Sequence, residues 1–230
     1  MAATSEQPLP APLSAEALFD AVGPAYEVAF EEQTDQDASV DWLISELAAK
    51  SIRPAKTVDI GCGTGRPVCS KLADAGHDVL GIDLSGAMIT SAKERVPNAS
   101  FEKLDIRDFN PPADSYDVAT AYFSLIAGVT QDEIRGFMAK IFGFVKPGGL
   151  LVWGTVPLPV ESEQIAWMGK PITVSSLAPE GAVDAVKKAG WEVVKEVQGV
   201  FKPKGAEAGI CKQEDVWEET HLYIYARKPE

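Results

Sequence analysis

What most limits the fold of this chain is an alternation that begins at residue 56. Short apolar runs with strand character alternate with segments of helical periodicity as far as residue 156. "KTVDIG" (56–61), "DVLGID" (78–83), "ASFEKLD" (99–105), "YDVATAYFSL" (116–125) and "GLLVWGTV" (149–156) read as strands. Between them, 66–76 reads as a helix with Pro67 in its first turn and Gly76 at its end. Residues 85–96 read as a helix capped by Ser85, and 131–146 as one stopped by Pro147-Gly148-Gly149. Such a succession of strand–helix units builds a parallel sheet with helices on both faces. Further on, 179–190 reads as a helix, while 191–201 and 220–227 read as strands with no helical pattern between them. The final pair is therefore expected to be antiparallel. The fold class is α/β: a doubly wound, seven-stranded, mostly parallel sheet whose last strand is antiparallel.

The remaining segments flank this frame. Residues 13–52 form an N-terminal helical cap, with Ser14 as a cap residue, a break at Gly23-Pro24, and Val40, Leu43, Ile44 and Leu47 at helical spacing in 38–51. Two long insertions, 157–176 and 202–219, follow the fifth strand and separate the last two; loops of this length in a compact domain are usually functional or disordered. Residues 1–12 are expected to be a flexible tail and 13–230 a single domain. A formal net charge of −13 disfavours nucleic acid and anionic membranes as partners. Three cysteines and two histidines supply neither a disulfide framework nor a metal centre. The N-terminus has no basic start and no apolar core, and no apolar run reaches membrane-spanning length, so a cytoplasmic location is expected.

A ligand is signalled by "VDIGCGTGRP" (58–67), with glycines at 61, 63 and 65 directly after the first strand. In a doubly wound sheet, ligands sit beyond the carboxyl ends of the strands. Three glycines alone also make a tight strand–helix turn. The spacing G-x-G-x-G departs from the dinucleotide fingerprint, and "GRP" lacks the lysine and hydroxyl of a Walker loop. Asp83 ends the second strand, 22 positions after Gly61, where an acid can accept both hydroxyls of a ribose. Capping the next helix is its alternative role, one that Ser85 fills better. Asp59 would repel a pyrophosphate but suits an ammonium group. S-adenosylmethionine (SAM) combines ribose, adenine and ammonium.

With these motifs in place, the chain resembles the class I SAM-dependent methyltransferases of the small-molecule type. The likeness spans 15–228 and rests on "VDIGCGTG", "GIDLS", "KLDIRDF", "YDVATAYFSL" and "VKPGGLLV" in that order. It implies a Rossmann-like fold, SAM as cofactor and S-adenosylhomocysteine as product. By resemblance, Asp59 and the loop carrying Gly61, Cys62, Gly63 and Gly65 face the methionine end. Asp83 takes the ribose hydroxyls, and Leu84 covers the adenine ring or belongs to the core. Asp105 and the backbone of Ile106 hold the adenine edge, with capping of the turn before Asp108 as the alternative for Asp105. Ala121 and Tyr122 line the sulfonium. Tyr26, in "FDAVGPAYE", closes over the cofactor, and Phe19 joins it, unless both simply pack a short helix.

No general base stands out. His77 lies in a helix–strand turn away from the carboxyl ends, and His221 reads as a partly buried strand histidine. The acceptor pocket is expected to draw on Phe19, Tyr26, Phe123, Trp153, Trp167 and Trp217, each tryptophan having loop or core packing as its alternative. The function expected is methyl transfer to an O, N or S atom of a small, apolar or aromatic molecule, as in secondary metabolism. The alternative is a SAM-binding enzyme of cyclase or eliminase type that methylates nothing. The assembly is expected to be a monomer or homodimer.

Overall fold

The computed structural model describes residues 10–230. Its strands, in chain order, are β1 (Lys56–Ile60), β2 (Asp78–Asp83), β3 (Ser100–Lys103), β4 (Tyr116–Tyr122), β5 (Val145–Thr155), β6 (Val160–Trp167), β7 (Lys170–Ser176), β8 (Glu192–Phe201) and β9 (Glu219–Arg227). Seven of them form one sheet in the order β3-β2-β1-β4-β5-β9-β8. The β1–β2, β2–β3, β1–β4 and β4–β5 pairs are parallel, and β9 runs antiparallel to both neighbours. The alternation in the sequence thus becomes the expected sheet. The strand order reverses between β1 and β4, which opens the crevice at their carboxyl ends.

The helices are α1 (Ala15–Val22), α2 (Ala25–Ala29), α3 (Thr34–Ala49), α4 (Val68–Asp74), α5 (Gly86–Arg95), α6 (Gln131–Phe144) and α7 (Pro179–Lys188). Period-two alternation along the strands feeds two cores. Val58, Ala119, Leu151 and Ile224 face α6 and α7, while Val118, Val152, Tyr223 and Tyr225 face α3, α4 and α5. Asp59 points to the second of these faces, where it is 3% exposed.

Several expected boundaries move. The helix before the fifth strand ends at Phe144, two residues early, because Val145 already pairs with Tyr116; Pro147-Gly148-Gly149 lies inside β5, where the register shifts. The third and fourth strands are shorter than expected, ending at Lys103 and Tyr122. The third helix begins at Thr34 rather than 38. The insertion 157–176 is a two-stranded antiparallel hairpin, β6–β7, closed by Met168 and Gly169, both with positive φ (46° and 71°), the two-residue turn that matches strand twist.

At the N-terminus, Ser14 Oγ accepts from the Ala17 amide, and Gly23-Pro24 separates α1 from α2 as expected. Of the expected tail 1–12, residues 1–9 lie outside the described residues. Residues from 10 onward are joined to the hairpin: Gln164 donates to the Pro10 carbonyl (2.6 Å) and the Leu13 amide to that of Pro171 (2.8 Å). The segment 202–219 carries one 3-10 turn, Gln213–Asp215, and docks on α2 through the Lys204 amide and the Ala29 carbonyl (2.8 Å). Among the described residues, no helix is long and apolar enough to cross a membrane.

Candidate functional site

A cavity of about 620 Å³ opens at the carboxyl ends of β1, β2 and β4, roofed by α1 and α2. Its size is that of a small-molecule site. The glycine loop forms its floor. Gly61, Gly63 and Gly65 all hold left-handed φ angles (71°, 53° and 78°), so side chains there would be strained. Their surroundings differ. A Cβ at Gly61 would collide with Ser124, and one at Gly65 would meet the Phe101 ring at 2.9 Å, whereas nothing lies within 4 Å of one at Gly63. Gly63 is therefore the place where a ligand can reach the backbone. Gly65 does not line the cavity, a correction to the expected loop; its backbone turns the chain against Phe101 and Val96.

Asp83 closes the floor from β2. Its Oδ2 accepts from the Gly63 amide (2.9 Å) and its Oδ1 from that of Ser85 (2.8 Å). Burial pushes its carboxyl up, and those two N–H groups oppose the rise. Each oxygen keeps further lone-pair capacity for a ligand hydroxyl. Ser85 does cap α5, accepting from the Met88 amide. A second acid, Asp20 of α1, is seated on the same helix N-terminus: it accepts from Ser85 Oγ (2.6 Å) and the Ala87 amide (3.1 Å). The Ser85 hydroxyl, foremost, holds the Asp20 carboxyl below the usual carboxylate range.

Asp59 lies deeper. Its Oδ1 accepts from Thr120 Oγ1 (2.7 Å) and its Oδ2 from Cys69 Sγ (3.4 Å). Burial outweighs those bonds and pushes its carboxyl up to about 6. Cys62 is 7% exposed, with its thiol directed to the Gly63 carbonyl (3.8 Å). Leu84 and Ile106 line the cavity on the β2–β3 side. Asp105 lines it too, and also caps its turn: its carbonyl accepts from the Asp108 amide, and its carboxylate takes the Arg107 amide (2.8 Å) and Nη1 (2.9 Å).

On the opposite side stand aromatic rings. Tyr26 stacks on Phe30 (centroids 4.5 Å apart) and meets Phe19 edge-on (5.9 Å). Burial, then the charges of Glu219 and Asp83, pushes the Tyr26 hydroxyl up. Tyr122 lines the cavity, with its hydroxyl 2.6 Å from Ser39 Oγ, and Phe123 follows it with φ +55°.

Four other expected residues do not line the cavity. Ala121 points the other way along β4, into the α6–α7 core. Trp153 is 1% exposed in that same core, for the same parity reason. Trp167 packs between Phe19 and Phe30, and its Nε1 donates to Glu219 (3.1 Å). Trp217 stands 41% exposed.

Sequence reasoning missed Glu27, Phe30, Thr64 and Arg66, all of which line the cavity. Glu27 Oε2 accepts from Thr64 Oγ1 and Arg95 Nη1, both at 2.8 Å, and so ties α2 to the glycine loop. The available signal was the i, i+4 spacing of Tyr26 and Phe30 in "AYEVAF", with the acid beside it. Among the described residues, no group of three or more histidine, cysteine or acidic side chains could hold a metal.

Comparison with known proteins converges on this frame. Residues 57–149 match the model of a methyltransferase domain. The chain is 26% identical over 168 residues to malonyl-[acyl-carrier protein] O-methyltransferase of Salmonella typhimurium, covering 72% of this chain and 64% of that protein. The chain spans from about half to just under two thirds of the first curated relatives it matches. Among solved structures, a SAM-dependent methyltransferase from Methanosarcina mazei shares the fold with a TM-score of 0.64 at 16% identity, over 80% of this chain and 97% of that one. The [4+2]-cyclase SpnF does so with a TM-score of 0.65 at 20% identity, over 96% and 98%.

Proposed function

We propose, taking as premise that this chain carries a class I SAM-dependent methyltransferase domain on the fold of that class, that it transfers the methyl group of SAM to an O, N or S atom of a small, apolar or aromatic acceptor. The observation that carries this reading is the two-sided cavity: a carboxylate-and-amide floor at Asp83 and Gly63, facing the rings of Phe19, Tyr26, Phe30 and Phe123.

The residues present fit SAM. Gly63 leaves open space over the backbone, and Asp83 is held by two N–H groups with lone pairs to spare for ribose hydroxyls. Leu84 and Ile106 offer apolar cover for the adenine, with Asp105 at its edge. Asp59 is a buried acid whose ionised form an ammonium group would stabilise. Once bound, SAM supplies a methyl carbon already activated by its sulfonium. The protein's part is to align the acceptor, exclude water and accept a proton where needed. Tyr26 and Phe123 present ring faces that favour a nearby cation. The ties from Glu27 to Thr64 and from Asp20 to Ser85 hold the roof shut over the floor. The named relative from Salmonella is an O-methyltransferase, which supports an oxygen atom as one candidate acceptor.

The test has two steps. Mass spectrometry of the purified protein should find S-adenosylhomocysteine or SAM bound, and labelled SAM should transfer its methyl to members of a thiol, amine, phenol and carboxylate panel. Tight SAM binding with no transfer to any class would point instead to a cyclase or eliminase on the same fold.

A further inference from the structure

Behind the ring wall of the cavity sits an ionisable pair that the methyl-transfer reading does not use. Glu219 is 8% exposed and His221 2%. His221 Nε2 lies 3.1 Å from Glu219 Oε2, while Trp167 Nε1 holds the other carboxylate oxygen. Rings enclose the imidazole on both sides: Phe123 at 4.2 Å and Phe201 at 5.4 Å, the latter nearly parallel. The pair is at the correct end of the sheet. Leu222 pairs with Thr155, the last residue of β5, so residues 219–221 project past that strand toward the cavity rim. Phe123 belongs to both places, lining the cavity with one face and packing on His221. Its positive φ, +55°, is unusual for a bulky side chain and is a common mark of functional turns. A strand core has no need of a buried acid–imidazole pair, which costs desolvation that apolar side chains would avoid.

We propose that His221 takes the proton the acceptor loses, that Glu219 positions its ring, and that Phe123 is the ring that turns aside to let the acceptor reach it. This rests on the methyl transfer proposed above. The Glu219 carboxylate accepts from Nε2–H, which leaves the lone pair on Nδ1 for the proton. Among the described residues, no hydrogen bond falls on Nδ1. In the step itself, the acceptor atom forms its bond to the methyl carbon as the carbon–sulfur bond breaks and its pair goes to sulfur. The acceptor's bond to hydrogen then breaks, its electron pair stays on the acceptor atom, and the proton passes to Nδ1. Other titratable groups around the pair are the Tyr26 hydroxyl from α2, which feels the charge of Glu219, Tyr223 on the same strand as His221, and Asp35 of α3, which abuts Gly199, the register partner of His221.

The first readout needs no turnover. Exchange of the imidazole C2 hydrogen, followed by mass spectrometry on the full chain with His77 as internal reference, should be slow at His221. Phe123→Ala, or Phe123→Leu should the alanine variant fail to fold, should raise it by about tenfold as the cover is removed. Unchanged exchange in a folded variant overturns the assignment of Phe123. The second readout plots kcat/KM against acceptor pKa. His221→Asn should lose roughly 10²–10⁴-fold on acceptors protonated at the assay pH and less than about threefold on those already ionised. Imidazole should restore part of the His221→Ala loss. A loss that is uniform across acceptors overturns the proton role alone. Wild-type protein that binds SAM yet methylates nothing in the panel overturns the reading above, and this one with it.

Discussion

The two walls of the cavity are built in different ways. The floor comes from one contiguous stretch: Asp59, Gly63, Asp83 and Ile106 stand at successive strand ends within residues 59–106. The ring wall is gathered from far apart, with Phe19 and Tyr26 from the N-terminal cap and Phe123 after β4, and it is backed by Trp167 on the hairpin and by Phe201 and His221 from the last two strands. The floor is polar and tied to backbone amides, and it is suited to a ligand of fixed chemistry. The opposite wall holds its rings mostly by stacking, so its shape depends on how α2, the hairpin and 202–219 pack together. Under the function proposed above, a fixed cofactor and a variable acceptor would place opposite demands on a single cavity, and the division is the one those demands call for.

The comparison is broken most forcefully at Asp83. Asp83→Ala strips the Gly63 and Ser85 amides of their acceptor and removes the proposed ribose partner. SAM affinity by calorimetry should fall by about 100-fold or more, since hydrogen bonds to a charged group are among the stronger ones. Affinity within threefold of wild type would detach Asp83 from the cofactor.

Next comes Asp59, whose effect is on stability. Its carboxyl is raised in the folded protein from 3.8 to about 6, so the folded state binds the proton more tightly than the unfolded one. The stabilisation is complete below pH 3.8 and is lost as pH rises through about 6. Urea unfolding should therefore show Asp59→Asn gaining on wild type by up to ~3 kcal/mol between pH 4 and 7. A gap that stays flat with pH would mean that Thr120 and Cys69 offset the burial in full.

On the ring wall, Tyr26→Phe keeps the stack on Phe30 while removing the hydroxyl. It should lower kcat by about tenfold with little change in Tm, because the ring area buried is unchanged. A rate equal to wild type would leave Tyr26 as packing alone. The smallest effect belongs to Trp217→Ala. With the indole 41% exposed and off the cavity, kcat/KM should stay within about twofold of wild type. A tenfold loss would show that 202–219 folds inward over the acceptor.

The same division governs what could be read in advance. The sheet, its reversal point and its antiparallel last strand were legible, because each strand–helix unit carries its own periodicity and caps. Asp83, Gly63 and Ile106 were legible for the same reason, since a strand end marks its own position. Gly65 was misread because glycine spacing cannot distinguish a ligand's approach from that of the Phe101 ring. Trp153 and Ala121 were misread by parity: both sit near the right strand end but on the α6–α7 face. The hairpin was missed although Met168-Gly169 sits between alternating residues, because β6 is polar and largely exposed and only β7 carries a buried face. Glu27, Thr64 and Arg95 are 37 and 31 residues apart, and no local pattern joins them.

By itself, then, the sequence determined the succession of strands and helices, the glycine turn and the acids at its strand ends, because those features depend on neighbours within one strand–turn–helix unit. Tertiary structure alone decided which glycine is open, which face each aromatic occupies, and that an acid–imidazole pair stands one ring behind the cavity. Those outcomes depend on side-chain parity in the finished sheet and on contacts between distant segments, such as the Tyr223 hydroxyl that donates to Gln33, 190 residues away.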